Sequence, residues 1–136
     1  MIDYDAIFKD VKDRYGIRIR RWRSNMTGAA WSVRYSDGRA LNWVECPRIK
    51  SPLSLAIFLH EVGHHVIGFD RYSLSCEEEL YAWRWALRTM RELGVEPDER
   101  TQRRVEASMQ YAVEKAMRRG LTILPVELHE FHRQAA

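Results

Sequence analysis

Two histidines and a glutamate form an H-E-x-x-H pattern, as His60, Glu61 and His64, inside the apolar run from Leu53 to Phe69. If that run is helical, His60 and His64 lie one turn apart on one face, where two imidazoles can bind one zinc ion. The Glu61 carboxylate beside them can take a proton from a water on the metal, while the zinc lowers the pKa of that water and polarises a scissile carbonyl. The pattern predicts a zinc-dependent hydrolase, of the peptidase kind.

The motif also has to lie on a helix, and the residues around it favour one. Pro52 after Ser51 is typical of a first helical position behind an N-cap. The neighbouring apolar residues predict a buried setting in which polar groups need partners, and a metal supplies them. The alternative is a buried amphipathic helix whose histidines only pack or hydrogen-bond. The apolar neighbours are Leu55, Ile57, Phe58, Leu59, Val62, Val66 and Ile67.

A catalytic zinc site needs a third protein ligand, and three consecutive carboxylates, Glu77, Glu78 and Glu79, compete for this role. Glu79 heads a helix face on which Ala82 and Ala86 would allow close approach to the motif helix. Glu78 shares its face with bulky aromatic residues, and Glu77 points toward arginines. We therefore expect Glu79 to be the ligand, with Glu77 and Glu78 as the alternatives.

With these residues the chain resembles the Glu-zincins, metallopeptidases that carry H-E-x-x-H on one helix and a ligand Glu on the next. Glu79-Leu80-Tyr81-Ala82, followed by Trp85-Ala86, is similar to the E-x-x-A…F-A pattern of ImmA/IrrE-type peptidases, and the small size is similar to that of minigluzincins. The resemblance covers roughly residues 53 to 90 and implies a zincin-like fold and Zn²⁺ as cofactor. It implies His60, His64 and Glu79 as zinc ligands and Glu61 as the general base.

Some supporting roles stay open at this stage. Relatives often carry Asp or Asn directly after the E-x-x-A alanine as a partner for a ligand histidine, whereas this chain has Trp83, so that role is either vacant or filled from elsewhere. A donor to the transition state is also expected, and Tyr72, Tyr81 and His65 are the candidates. His65 is turned about 100° from His64 on a helix, so we interpret it as a packing or supporting residue.

The first third of the chain predicts a helix followed by a sheet. Apolar spacing favours a helix from Ile2 to Tyr15 that Gly16 ends, and three alternating runs then predict three antiparallel strands. The Asp37-Gly38 pair is typical of a tight hairpin turn between the last two strands. We expect the strand from Ala40 to Glu45 to be the edge that receives an extended substrate.

The remainder predicts three helices and a less regular tail. The motif helix should end at Gly68, a second should run from Cys76 to Leu93, and a third should begin around Pro97 and end at Gly120. The predicted fold class is α+β, a small zincin-like domain with an N-terminal helix, a three-stranded antiparallel sheet and then three helices including the H-E-x-x-H helix. All of 1–136 is expected to form a single domain.

Composition limits the other possibilities. The 136 residues are 46% hydrophobic with a net charge of +3, which provides a core without demanding an acidic partner. No stretch is suited to a signal peptide or membrane span, so we expect a cytoplasmic protein with a protein or peptide substrate. The arginines from Arg18 to Arg23 suggest an alternative, a non-catalytic regulatory or interaction protein on a zincin scaffold that contacts nucleic acid. We prefer to interpret them as the solvent face of an edge strand.

The C-terminal tail from Leu121 carries groups able to compete for a metal. They are Glu127, His129, Glu130 and His132. We expect this tail to restrain activity, because its side chains can displace a water from an open zinc position. His129 and His132 also form an H-x-x-H pair, which we interpret as part of a solvated tail.

Overall fold

The computed structural model describes residues 1–132, which form an α+β fold. The elements in chain order are α1 (Tyr4–Tyr15), β1 (Ile17–Arg23), β2 (Ala29–Arg34), β3 (Ala40–Pro47), α2 (Pro52–Ile67), α3 (Ser75–Glu92), α4 (Glu99–Arg118) and a 3₁₀ helix (Val126–Phe131). The predicted order of one helix, three strands and three helices is therefore confirmed. None of the helices in this described part is long and apolar enough to cross a membrane.

The sheet is mixed, so the prediction of three antiparallel strands is wrong. The strand order is β1-β3-β2, with β3 parallel to β1 and antiparallel to β2. The predicted hairpin turn is present, because Gly38 has φ 92° and the Tyr35 N–H donates a hydrogen bond of 2.8 Å to the Arg39 carbonyl. β3 is the strand with the most buried residues, and the arginine-rich β1 is better suited to an edge.

The central place of β3 also overturns the prediction that Ala40 to Glu45 form the edge that receives substrate. Both sides of β3 are occupied by neighbouring strands. Among the described strands, β2 pairs only with β3 and leaves its other side open. The open edge of β2 begins at Ala29, and Ala29 and Ala30 line the cleft that also contains the H-E-x-x-H residues.

The helix α2 runs through the core and begins where the sequence predicts. Ser51 is its N-cap, Pro52 its first residue, and Ser51 and Ser54 form a reciprocal capping box. Every residue from Leu53 to His64 is buried, and Gly68 caps the C-terminal end. The H-E-x-x-H motif therefore lies on a rigid, enclosed helix.

The next helix, α3, packs closely against α2. A Cβ atom at Gly63 would lie 2.9 Å from the Ala82 carbonyl oxygen and 3.3 Å from the Trp85 ring, so the glycine permits this approach. Ala82 and Ala86 are fully buried, as the small-residue face predicted. This contact brings the start of α3 beside the end of α2.

The helix α4 and the segment after it complete the core. Asp98 caps α4, because its side chain accepts a hydrogen bond of 2.9 Å from the Thr101 backbone. In the 3₁₀ helix, Leu128 and Phe131 are 0% and 7% exposed and belong to the main hydrophobic core. The described part of the tail is thus structural, and residues 133–136 of the tail lie outside the described residues.

Candidate metal centre

His60 and His64 of α2 meet Glu79 of α3 at the floor of the cleft. One ligand atom from each residue lies within 4.8 Å of the other two. Glu79 places Oε2 at 3.1 Å from His60 Nε2 and Oε1 at 3.0 Å from His64 Nε2. In a tetrahedral zinc site with bonds of about 2.05 Å, neighbouring ligand atoms lie about 3.3 Å apart. The spacing therefore suits three ligands of one ion.

The nitrogen of His60 gives a second indication that the cluster fits a metal. His60 Nε2 is buried and has no hydrogen-bond partner among residues 1–132, although a Glu79 oxygen is 3.1 Å away. A buried polar atom without a hydrogen bond is costly, and a cation bound between the donors would satisfy it. Two imidazoles and one carboxylate are also a donor set that catalytic zinc uses.

Glu78 supports one of these histidines. Its Oε2 accepts a hydrogen bond of 2.7 Å from His64 Nδ1, which leaves Nε2 of the same ring as the lone-pair nitrogen that faces Glu79. The alternatives considered for the third ligand are thus separated in space. Glu79 lies in the cluster, Glu78 orients His64, and Glu77 is outside the residues that line the cleft.

Trp83 supports the other histidine, by stacking. The rings of His60 and Trp83 lie 4.0 Å apart and are inclined by only 10°. Trp83 is 2% exposed, so the indole is a fixed surface against which the imidazole is held flat. Position 83 carries no Asp or Asn that could hydrogen-bond a histidine of the cluster. Glu78 has this role for His64, and His60 is held by packing against the Trp83 ring.

The carboxylate of Glu61 lies beside the cluster without belonging to it. Its Oε2 is 3.5 Å from His60 Nδ1, and Glu61 lines the cleft while only 6% exposed. The loop before β2 approaches this side chain closely. If Gly28 carried a Cβ atom, that atom would lie 2.5 Å from Glu61 Oε2. A side chain at this position would require the Glu61 carboxylate to move, so Gly28 leaves room for that carboxylate where it lies.

The substitution Gly28→Ala is therefore expected to displace Glu61. The added methyl group meets Oε2 and Cγ of Glu61 at distances that no real Cβ contact shows. For the hydrolase that the sequence predicts, we expect kcat to fall by about tenfold or more, since a displacement of about 1 Å can cost about 100-fold. Zinc affinity should stay unchanged, because the three atoms nearest the added Cβ all belong to Glu61, which is not a predicted ligand.

Gly38→Ala is the matched control, because Gly38 lies in the hairpin turn, where an added Cβ meets nothing within 4 Å. That variant should keep its kcat even if the positive φ lowers its thermal stability. Unchanged hydrolysis by a folded Gly28→Ala variant would contradict the role given to Gly28.

The charges of the cluster shift the pKa values of its members. Burial lowers the pKa of His60, but the Glu61 and Glu79 carboxylates outweigh it and raise the pKa to about 9. Burial raises the pKa of Glu79, but the His60 and His64 imidazoles, whose Nε2 atoms lie 3.1 and 3.0 Å from its carboxylate oxygens, hold it well below its usual range. A cation that binds His60 Nε2 must therefore displace a proton, which couples metal binding to pH.

The cleft above the cluster encloses about 760 Å³. One wall is Thr27 to Ala30, and another is α4, through Arg104, Ser108, Tyr111 and Lys115. Sequence reasoning missed both walls. The polar residues of α4 recur every three or four positions, and this spacing could have indicated the wall on α4. No feature of the neighbouring sequence indicates that Gly28 lies beside Glu61.

The residues predicted as transition-state donors lie elsewhere. Tyr81 donates a hydrogen bond of 3.4 Å to Glu127 and stacks on Tyr72, while His65 Nε2 donates to the Trp43 carbonyl at 2.9 Å. None of these candidates lines the cleft, whereas Tyr111 does. His65 is thus a packing residue that ties α2 to β3.

Among the described residues, the other potential metal donors do not join the cluster. Cys46 and Cys76 are buried free thiols, and burial together with the Glu61 charge raises the pKa of Cys46 to about 12. His129 bonds the Leu124 carbonyl at 2.9 Å. Among the described residues, none after Lys115 lines the cleft, so this part of the tail does not cover the site as we expected.

Comparison with family models, with curated proteins and with solved structures finds no match for this chain.

Proposed function

We propose that this protein is a zinc-dependent metallopeptidase of the Glu-zincin type, which hydrolyses peptide bonds of an intracellular protein or peptide in the cytoplasm. One observation carries the proposal: the buried donors of His60 and His64 and the partly exposed carboxylate of Glu79 converge beside the Glu61 carboxylate in an open cleft. The side chain of Glu79 is 32% exposed, so the cluster is accessible from the cleft.

In the proposed hydrolysis, three residues bind the zinc ion and a fourth transfers the proton. A zinc ion bound by His60, His64 and Glu79 would supply a Lewis acid that polarises the scissile carbonyl and makes a water nucleophilic at neutral pH. Glu61 takes the proton from the attacking water and later delivers it to the leaving amine nitrogen. Burial of Glu61 excludes bulk water from this transfer.

A substrate chain would lie along the open edge of β2. Ala29 and Ala30 offer main-chain groups at the rim of the cleft, and small side chains leave room for an extended peptide. Main-chain pairing presents the peptide bond to the cluster without demanding a particular side chain. This edge takes the role that we had expected of β3.

The proposal is tested by metal content and proteolysis together. The full chain, purified without chelator, should contain about one zinc per molecule by elemental analysis. It should cleave an unfolded protein, lose this activity on chelation and regain it with added zinc. A chain that contains no zinc and takes up none would overturn the enzyme proposal.

The alternative of a non-catalytic scaffold that contacts nucleic acid through Arg18 to Arg23 has less support. Three of these arginines are engaged by Glu45, and the Trp22 ring contacts Phe8 and Arg48. Part of the ring surface on which a base would stack is therefore already occupied.

A further inference from the structure

Three aromatic side chains of residues 1–132 are exposed, and two of them meet in the cleft of the metal centre. Tyr35, Phe69 and Tyr111 are 42%, 41% and 61% exposed. The Tyr35 ring is covered by the Arg39 guanidinium, which lies 5.0 Å from the ring centre. Phe69 and Tyr111 both line the cleft. Exposed aromatic surface in a cleft is typical of a ligand-binding site.

Phe69 lies directly after α2, beside one of the proposed ligands. Gly68 ends the helix with φ 96°, a conformation that favours glycine, and the next residue returns to the side of α2. The Phe69 and His64 rings are parallel to within 4°, with their centroids 6.2 Å apart. The Phe69 ring also meets the His65 ring at 5.1 Å in an edge contact. Phe69 is thus held next to the metal centre, with part of its ring facing the cleft.

Tyr111 is placed in the cleft by α4. Ser108 and Lys115, three residues before it and four residues after it, lie on the same helix face and also line the cleft. Neither Tyr111 nor Phe69 belongs to the main hydrophobic core or to the apolar residues packed against it. Core packing therefore does not account for their exposed ring surface, whereas a ligand with apolar groups would cover it.

The place of Phe69 determines which part of a bound peptide it would contact. The 6.2 Å between the Phe69 and His64 ring centroids is about the length of two residues of an extended chain. A side chain that packs on Phe69 therefore belongs to a residue close to the peptide bond held at the metal centre. Main-chain pairing with β2 sets no side-chain preference of its own, so a contact with Phe69 would supply one.

We propose that Phe69 and Tyr111 make the cleft selective for polypeptides that carry a large apolar side chain within about two residues of the bond to be cleaved. Such a side chain leaves water when it packs against the two rings, and a small or charged side chain gains less there. Phe69 contributes more than Tyr111, because its ring adjoins a proposed ligand of the metal centre. This inference rests on the proposed peptidase function, since it names the substrate class of the same cleft.

A nucleic acid fits this cleft less well, although bases also stack on aromatic rings. Three carboxylates line the cleft, those of Glu61, Glu78 and Glu79, whereas the lysine and arginine side chains that line it are only Lys115 and Arg104. A phosphate backbone would therefore meet more acidic than basic side chains. A neutral apolar peptide carries no such charge.

The test measures binding separately from hydrolysis. The full-length Glu61→Gln variant, loaded with zinc, is titrated into fluorescent peptides that share one neutral sequence and carry Leu, Phe, Ala or Lys at its centre. By anisotropy, the Leu and Phe peptides should bind about tenfold tighter than the Ala peptide, because they bury more apolar surface. The Lys peptide should bind no tighter than the Ala peptide.

Single substitutions in the Glu61→Gln background identify the rings. Phe69→Ala should remove most of the preference, and Tyr111→Ala should reduce it. Tyr111→Phe should preserve it, because the ring and not the hydroxyl makes the contact. Tyr35→Ala is the matched control, since it removes a similarly exposed ring outside the cleft and should preserve the preference. Zinc content should be the same in all four variants, because none of them changes a proposed ligand.

Several results would overturn the inference. They are equal affinity for the Leu and Ala peptides, no binding of any peptide, an unchanged preference in Phe69→Ala or Tyr111→Ala, or an equal loss in Tyr35→Ala. Loss of zinc from Phe69→Ala, with all peptides weakened alike, would mean that this ring only holds His64. Tighter binding of a single-stranded oligonucleotide that depends on Phe69 would assign the cleft to nucleic acid instead.

The proposed function fails by a different result, which is the absence of any peptide hydrolysis by the unmutated protein. The binding measurements would then still decide whether the cleft prefers large apolar side chains and whether Phe69 and Tyr111 cause that preference.

Discussion

Replacing Glu61 by Gln is expected to lower kcat by about 10²- to 10⁴-fold while zinc stays bound. The amide has the shape of the carboxylate but cannot take a proton from the attacking water. Glu61 lies outside the ligand cluster, so metal content should equal that of the unmutated chain. Elemental analysis and initial rates on the same preparations measure both quantities.

Glu92→Gln is the matched control for this prediction. It makes the same chemical change at an exposed position near the end of α3 and should alter neither quantity. If Glu61→Gln hydrolyses peptides at the unmutated rate, another group serves as the base. If it loses zinc instead, Glu61 is a ligand and the cluster has been assigned incorrectly.

Replacing Glu79 by Ala should have the largest effect on metal binding. It removes the one anionic donor of the cluster, and competition with a chromogenic chelator should show loss of stoichiometric zinc. Glu78→Ala should weaken zinc binding by about 10- to 100-fold, because it removes the hydrogen bond that orients His64. Glu77→Ala should leave affinity unchanged.

The three adjacent substitutions form an internal series, since each removes one carboxylate from the first turn of α3. Stoichiometric zinc in Glu79→Ala, together with its loss in Glu78→Ala, would mean that Glu78 is the ligand. Zinc retained equally in all three variants would contradict a carboxylate ligand on α3.

The local features of the metal centre were predictable from the sequence. Ser51 and Pro52 fixed the start of α2, which set the H-E-x-x-H residues on one helical face. Ala82 and Ala86 distinguished the face of Glu79 from those of its neighbours, and this face does pack on α2. Capping and small-residue contacts depend on neighbours in the chain, so a sequence pattern reports them directly.

The sheet and the cleft walls were not predictable in the same way. The Asp37-Gly38 turn determines only the pairing of β2 with β3, and no local signal states that β3 also pairs with β1. The approach of Gly28 to Glu61 joins residues far apart in sequence. Such contacts depend on how elements pack, which turn chemistry and periodicity do not encode.

In the proposed enzyme, the residues for reaction and most of those for substrate binding come from different parts of the chain. His60, Glu61, His64, Glu78 and Glu79 all belong to the single helical hairpin of α2 and α3. The cleft walls come from a loop near the N-terminus and from α4. In the proposed enzyme, substitutions in the walls would therefore alter what is bound without changing the helical hairpin. Gly28 is the exception, because a Cβ atom there would meet the Glu61 carboxylate, so a substitution in this wall would also displace the proposed base.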